Sequence, residues 1–167
     1  MSTEIYLGLG ANLGNPRETF DRSLSQVKMF ADILNQSSLY RSKPYGFSEQ
    51  PSFVNAAIRI SSTLPPLEIL KKTQQIEKNL GKKTLHKNGP RVIDLDLLIY
   101  DDLMLDSKKL VLPHPGILKR DFVILPLLEI KANLAHPAWP HITLSKYLSI
   151  IDEPFVIGNP EPWQQCS

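Results

Sequence analysis

Residues 87–98 read KNGPRVIDLDLL, and this stretch predicts a buried strand that carries a polar site. After a Gly-Pro turn and Arg91, a run of β-branched and leucine residues is interrupted at alternate positions by Asp94 and Asp96. Side chains two apart in a strand project from one face, so the two carboxylates are expected to stand together. The opposite face is expected to enter a core through Ile93, Leu95, Leu97 and Ile99.

The aspartate pair is a candidate Mg²⁺ site. Aspartate is uncommon in strands, and two neighbouring like charges repel each other unless a cation lies between them. Mg²⁺ binds one or two carboxylates and completes its shell with water and substrate phosphates, which Arg91 could hold through its fork of donors. The alternative is an edge strand that enters solvent with two exposed aspartates. The Gly-Pro-Arg prefix and the apolar alternate face favour the metal.

Composition predicts one domain over residues 1–167. The chain is 42% apolar and 22% charged, and no apolar run approaches the roughly 18–20 residues of a membrane span. The start of the sequence lacks the features of a secretory signal, and the single cysteine, Cys166, allows no intrachain disulfide. These features favour a cytoplasmic protein without a membrane partner. A net charge of +2, with few basic clusters, argues against nucleic acid and favours a small polyanion such as a nucleotide.

The order of predicted elements indicates a ferredoxin-like α+β fold with a βαββαβ core. The core elements are a strand over 4–10, a helix that begins at Asn15-Pro16, strands over 33–41 and 53–62, a helix over 67–80, and the Asp94–Asp96 strand. The expected additions are a β-hairpin over 102–106 and 110–112, C-terminal helices near 121–131 and 143–151, and a loosely packed tail over 158–167.

Four further features could contact a ligand, and each has a structural alternative. The glycine-rich stretch 8–14 could hold phosphate, but a tight turn with close strand–helix packing is favoured because the Walker A spacing is absent. Gln74 and Glu77 share one helix face, for which solvent exposure is the default interpretation. Asn55 could present a donor and an acceptor to a heterocycle, or it could make a structural hydrogen bond.

The segment 113–122 adds a histidine between two prolines, an arginine and an aromatic residue. His114 could donate to phosphate and Phe122 could stack on a planar ligand, although each alone is more often a loop or core residue. No Ser/His/Asp or Cys/His arrangement is readable in the sequence. A carboxylate pair with cationic loops and few proton-transfer groups is typical of phosphoryl-type transfer.

These motifs together resemble the 6-hydroxymethyl-7,8-dihydropterin pyrophosphokinases, over roughly residues 5–137. The resemblance rests on an ordered set of motifs: GANLG at 10–14, YRSKP at 40–44, QPSFVNA at 50–56, Gln74-x-x-Glu77, GPRxxDLD at 89–96, PHP at 113–115 and Arg120-x-Phe122. It implies transfer of pyrophosphate from ATP to a pterin alcohol, with release of AMP. The competing interpretation is a non-catalytic, nucleotide-binding ferredoxin-like module.

The resemblance also implies a role for individual residues. Two Mg²⁺ ions would bind Asp94 and Asp96, and catalysis would involve these aspartates together with Arg91 and Lys82. The pterin would contact Ser42, Pro44, Tyr45, Phe53, Asn55 and Phe122. ATP, as co-substrate, would contact Gln74, Glu77, Arg91, Leu97, His114 and Arg120. Nothing in the sequence demands an oligomer, so a monomer is expected.

Overall fold

A sheet with helices on both faces forms the fold of this computed structural model, which describes residues 2–44, 49–82 and 90–164. Its strands are β1 Thr3–Ala11, β2 Asp32–Gln36, β3 Leu39–Ser42, β4 Phe53–Ser62, β5 Asp94–Tyr100, β6 Leu105–Asp106, β7 Val111–Leu112 and β8 Val156–Glu161. Its helices are α1 Pro16–Val27, α2 Pro66–Asn79, α3 Asp121–Ile130 and the short α4 Ser145–Leu148, with a 3₁₀ turn at Ile117–Lys119.

The sheet has the order β5-β1-β4-β3-β8, with β2 also paired to β4, and all of its neighbouring strands are antiparallel. This arrangement confirms the ferredoxin-like α+β prediction. The predicted strand 33–41 is divided into β2 and β3 at Ser37. There the backbone N–H of Ser37 donates to the carbonyl of Ala57 (2.9 Å), and the Ser37 hydroxyl accepts from the N–H of Ala57 (2.9 Å).

Two apolar layers cover the sheet. Helices α1 and α2 pack on one face through residues such as Phe20 and Ile69, and α3 packs on the other face through Ile124. Burial of each such side chain contributes about 1.5–3 kcal/mol. The Asn15 side chain caps α1 by accepting from the N–H of Glu18 (3.2 Å), as the sequence predicts.

Strand β5 contains a β-bulge that the alternation argument does not include. Leu7 pairs with Leu97, but the preceding residue, Tyr6, pairs with Ile99, so Leu98 is the extra residue. Leu95 and Leu97 therefore face α1 and α2 as predicted, whereas Ile99 packs with Leu98 in the opposite layer. The prediction for Ile99 is wrong because the bulge interrupts the two-residue period.

The expectation of a loose tail over 158–167 is wrong for its described part, which ends at residue 164. Strand β8 pairs with β3, and the Trp163 side chain is buried against Phe20 with ring centroids 5.6 Å apart. The indole N–H donates to Asp21 Oδ1 (2.8 Å), and Arg17 donates to the carbonyls of residues 162 and 163. The predicted helix over 143–151 is also shorter, reduced to Ser145–Leu148.

Among the described residues, no helix is both long enough and apolar enough to span a bilayer.

We predict that Trp163→Ala lowers the free energy of unfolding by about 3–5 kcal/mol, because it leaves a cavity beside Phe20 and removes the hydrogen bond to Asp21. Trp139→Ala is the matched control: that side chain is 53% exposed, and its loss is expected to change stability by less than about 0.5 kcal/mol. Denaturant unfolding of both variants measures the difference. Equal effects would mean that the tail contributes no packing.

Candidate functional site

The site begins with two glycines in the central strand. Gly8 and Gly10 lie within β1, and their backbones pair with Asp96 and Asp94 of β5 on one side. On the other side, in β4, Gly10 pairs with Asn55. Because the two glycines carry no side chains, a concave floor separates the carboxylates from the amide. The interpretation as a tight turn holds for Gly14, whose φ is +66°, but not for Gly8 and Gly10, since β1 continues to Ala11.

A cavity of about 130 Å³ lies on this floor. Four of the residues expected to contact a pterin line it: Ser42, Phe53, Asn55 and Phe122. Pro44 is not among the lining residues, and Tyr45 lies outside the described residues. The cavity is also lined by Arg91, Asp94, Asp96 and Arg120. A small cleft with aromatic walls and a few polar groups is the usual form of a site for a planar heterocycle.

A second cavity of about 380 Å³ lies between α2, β5 and the segment before the 3₁₀ turn. Its lining includes five of the residues expected at the nucleotide or in catalysis: Gln74, Glu77, Lys82, Leu97 and His114. Asp96 lines this cavity and the smaller one, so both spaces border this residue of β5. Arg91 and Arg120, which the sequence argument assigns to the nucleotide, line the smaller cavity instead.

A chain of ionic contacts connects residues of the second cavity, Glu77 and Lys82, with residues of the smaller one, Asp94 and Arg91. Lys82 Nζ lies 2.9 Å from Glu77 Oε2 and 2.8 Å from Asp94 Oδ1, and Arg91 Nε lies 3.6 Å from the same Asp94 oxygen. Glu77 Oε2 also accepts from the backbone N–H of Leu95 (2.8 Å). Glu77 is therefore a buried residue that fastens α2 to β5, and the interpretation of a solvent-facing residue is wrong for it.

Burial sets the protonation behaviour of this group. It raises the pKa of Glu77, and the hydrogen bonds from Leu95 and Lys82 do not fully offset that effect. Burial lowers the pKa of Lys82, but the hydrogen bonds and charges of Asp94 and Glu77 outweigh it, so the net shift is upward. The pKa of Asp96 is raised to about 7, first by burial and then by the charges of Asp94 and Glu77.

His114 is a neutral donor at the second cavity. Burial, with the nearby charge of Arg120, lowers the pKa of His114. Its Nδ1 accepts from the backbone N–H of Gly116 (3.0 Å), which leaves the ring proton on Nε2. Its own backbone N–H donates to the carbonyl of Leu98 (2.8 Å), so the ring is positioned by strand β5.

Asn55 presents an acceptor to the smaller cavity. Its Nδ2 donates to the Ser42 hydroxyl (2.8 Å) and to the Tyr40 carbonyl (3.1 Å), so both amide protons are committed within the protein. Its Oδ1 lies beside Gly10, 3.5 Å from the position that a Cβ would occupy there. The expectation of a combined donor and acceptor is thus reduced to a carbonyl oxygen, which suits a ligand with an N–H or amino group.

Sequence reasoning missed Asn12 as an individual residue. Its buried Nδ2 donates to Gln50 Oε1 (2.9 Å) and to the carbonyl of Pro51 (3.0 Å), and its Oδ1 accepts from the N–H of Arg91 (2.8 Å). The N–H of Asn12 also donates to the Arg91 carbonyl (3.0 Å). One side chain thus joins the end of β1 to the segments that precede β4 and β5. The signal that the sequence offered was a polar residue between the apolar residues of the GANLG motif.

Asp94 and Asp96 are the residues best placed to hold a metal. Groups of three or more acidic, histidine or cysteine side chains in ligating arrangement are absent from the described residues. Two carboxylates without a third protein ligand suit Mg²⁺ held together with substrate phosphates and suit a structural zinc poorly.

Comparisons with known proteins identify the family to which the chain is similar. Residues 6–132 match the family model described as 7,8-dihydro-6-hydroxymethylpterin-pyrophosphokinase. The chain is 40% identical over 135 residues to a 2-amino-4-hydroxy-6-hydroxymethyldihydropteridine pyrophosphokinase of Aquifex aeolicus, which covers 81% of this chain and 84% of that relative. A relative of the same name from Bacillus subtilis is 38% identical over 133 residues, with 78% and 79% covered.

Other similar proteins are longer than this chain. A folic acid synthesis protein of Pneumocystis carinii is 38% identical over 162 residues, which are 93% of this chain but 22% of that protein. A solved structure of a Plasmodium falciparum HPPK-DHPS protein with pteroate superposes with a TM-score of 0.70 at 14% identity, over 89% of this chain and 43% of that one. The latter likeness supports the fold.

We predict that the Asp96 carboxyl titrates near pH 7 in the metal-free protein, as measured by NMR of its carboxyl carbon. Because its pKa in the folded state exceeds the ordinary 3.8, its contribution to the free energy of unfolding is fully present below 3.8 and is lost as the pH rises through about 7. Asp94→Asn removes a neighbouring charge and should lower this pKa. A midpoint near the ordinary value in the unmodified chain would contradict the prediction.

We also predict that Asn12→Ala lowers the free energy of unfolding by about 1–3 kcal/mol, because the backbone N–H of Arg91 loses its partner. Asn133→Ala removes an exposed amide in the turn after α3 and serves as the control, with an expected change below about 0.5 kcal/mol. Urea unfolding compares the two. If both variants match the unmodified chain, Asn12 does not hold the site together.

Proposed function

The chain belongs to the 7,8-dihydro-6-hydroxymethylpterin pyrophosphokinase family, and on this premise we propose which of its residues carry out the reaction. It is an ATP-dependent enzyme of folate biosynthesis that transfers pyrophosphate from ATP to the hydroxymethyl group of the pterin. The observation that supports the residue roles best is that Asp96 lines both cavities. A non-catalytic nucleotide-binding module would not need the smaller cavity with aromatic walls in addition to the larger one.

The smaller cavity is proposed to hold the pterin. Asn55 Oδ1 would accept a hydrogen bond from the ring edge, while its amide protons stay with Ser42 and the backbone. Phe53 and Phe122 would supply the aromatic surfaces against which a bicyclic ring packs. Pro44 and Tyr45 are also proposed to contact the pterin, as the family resemblance implies.

The larger cavity is proposed to hold ATP. Gln74, Leu97 and His114 line it, and the Nε2–H of the neutral His114 is a donor suited to a phosphate oxygen. Arg91 and Arg120 are proposed to act where the two cavities meet, each able to bind a phosphate through two parallel hydrogen bonds. This position fits pyrophosphate transfer, since the transferred group must pass from the nucleotide to the pterin.

We propose that two Mg²⁺ ions are held by Asp94 and Asp96 together with the phosphates. The pair fits a dication because the charge of Asp94 contributes to the raised pKa of Asp96, and a bound cation would relieve that repulsion. When bound, Mg²⁺ neutralises phosphate charge and polarises the phosphorus that is attacked. Lys82, which has three donors, holds Glu77 and Asp94 and can exchange Asp94 for a phosphate oxygen.

We propose a cytoplasmic monomer made of one domain, with ATP and the dihydropterin as its partners and without nucleic-acid or membrane partners. The modest net charge of +2 argues against a nucleic-acid partner.

We predict that Asp94→Asn and Asp96→Asn each lower pterin-dependent AMP formation by about 100-fold or more. Each substitution removes a carboxylate that holds Mg²⁺, and Mg²⁺ is the group that neutralises negative charge in the transition state. The assay follows AMP from ATP, Mg²⁺ and 6-hydroxymethyl-7,8-dihydropterin. Asp102→Asn, at an exposed position in the turn after β5, is the matched control and should retain full activity.

Chelation with EDTA is expected to stop the same reaction, and added Mg²⁺ to restore it. ATP turnover that does not depend on the pterin would point to a different transferase. Near-normal AMP formation in either aspartate variant would refute the metal assignment while leaving the family activity intact.

A further inference from the structure

The wall of the smaller cavity continues into a segment beyond the family-matched residues 6–132. Ser42, a lining residue, pairs with Val156 of β8, and the backbone N–H of Lys43, another lining residue, donates to the Phe155 carbonyl (2.8 Å). The cavity edge formed by β3 is therefore backed by residues 155 and 156. This segment is far from the cavity in sequence but adjacent to it in the fold.

A buried carboxylate fastens this segment to α3. Asp121, the first residue of α3, is 5% exposed, and its Oδ2 accepts from the backbone N–H groups of Phe155 and Val156, both at 3.0 Å. Its Oδ1 is buried without a hydrogen-bond partner in the described part of the chain. Among the described residues, the hydrogen bonds that this carboxylate accepts therefore come from Phe155 and Val156. Phe122 follows Asp121 directly, so the tether fixes the segment relative to that ring.

The Phe155 ring meets the Phe122 ring edge to face, with centroids 6.0 Å apart and an interplanar angle of 79°. The Arg120 guanidinium carbon lies 6.0 Å from the centroid of Phe122. Phe122 lines the smaller cavity, whereas Phe155 is not among its lining residues. Phe155 therefore acts on a ligand in that cavity indirectly, through the lining residues that it contacts: Phe122, and Lys43, whose Nζ lies 5.8 Å from the centroid of the Phe155 ring. An edge-to-face contact has a preferred geometry, so it restricts the tilt of the Phe122 ring.

We propose that Phe155, tethered by Asp121, is a positioning residue for pterin binding. Its ring holds Phe122 in the orientation that stacks on the substrate. This inference rests on the assignment of the smaller cavity to the pterin. It extends the substrate site to the residue that precedes β8, a part of the chain that the functional motifs do not include.

The test measures the Kd for 6-hydroxymethyl-7,8-dihydropterin by calorimetry and the KM values for pterin and ATP separately. Phe155→Leu keeps apolar bulk but loses the aromatic edge, and it should raise the pterin Kd and KM by about 2- to 10-fold. The KM for ATP should stay unchanged, whereas a general loss of structure would raise both KM values. Phe155→Tyr retains the ring and should bind like the unmodified chain. Ile157→Ala, a 47% exposed position in the adjoining strand β8, is the neutral control.

A double-mutant cycle tests the route of the effect. Once Phe122→Leu has removed the stacking ring, adding Phe155→Leu should change the pterin Kd no further. Independent, additive effects would overturn the proposal, as would an equal rise in the KM for ATP or unchanged pterin binding in Phe155→Leu.

The proposed function fails separately from the positioning role. If the unmodified chain binds the pterin but forms no AMP, the assigned reaction is refuted and the Kd values still decide the role of Phe155. If the unmodified chain binds no pterin, both proposals are refuted.

Discussion

The register of β1 between β4 and β5 is the constraint on which the site depends. It places Gly10 between Asp94 and Asn55, so that the metal-binding and heterocycle-binding groups face each other across a strand without side chains. A slip of one residue would bring a leucine of β1 into the cavity and turn the glycines toward the core. The apolar residues of β1, which pack under α1 and α2, therefore fix the site geometry from the opposite face of the sheet.

The same arrangement concentrates negative charge, and the fold compensates for it only in part. Lys82 and the N–H of Leu95 stabilise Glu77, and Lys82 with Arg91 contacts Asp94. The charges of Lys82 and Arg120 lower the pKa of Asp96, but burial and the charges of Asp94 and Glu77 outweigh them, so the net shift is upward. Partly unbalanced carboxylates destabilise the fold at neutral pH but favour the binding of a cation, which is a common compromise in sites that handle phosphate.

Much of the core could be predicted from the sequence because local patterns determine it. The Asn15-Pro16 cap, the strand over 53–62 and the strand that carries Asp94 and Asp96 each depend on a few adjacent residues, and all three predictions hold. The failures have non-local causes. The bulge that moves Ile99 depends on pairing with Tyr6, and the burial of Trp163 depends on Phe20 and Asp21 at the opposite end of the chain. Glu77 and Asn12 are polar residues whose burial is explained by partners far away in sequence.

The contact between Trp163 and Asp21 joins residues 142 positions apart, and β8 closes the edge of β3 from a similar distance. During synthesis, the ribosome releases β1, α1 and the whole aspartate strand long before these closing residues. Until those residues are synthesised, Phe20 of α1 lacks its contact with Trp163 and the edge of β3 lacks its pairing with β8. Such long-range closure slows folding, and the edge of β3 stays accessible to other chains until β8 has been synthesised and has paired with it.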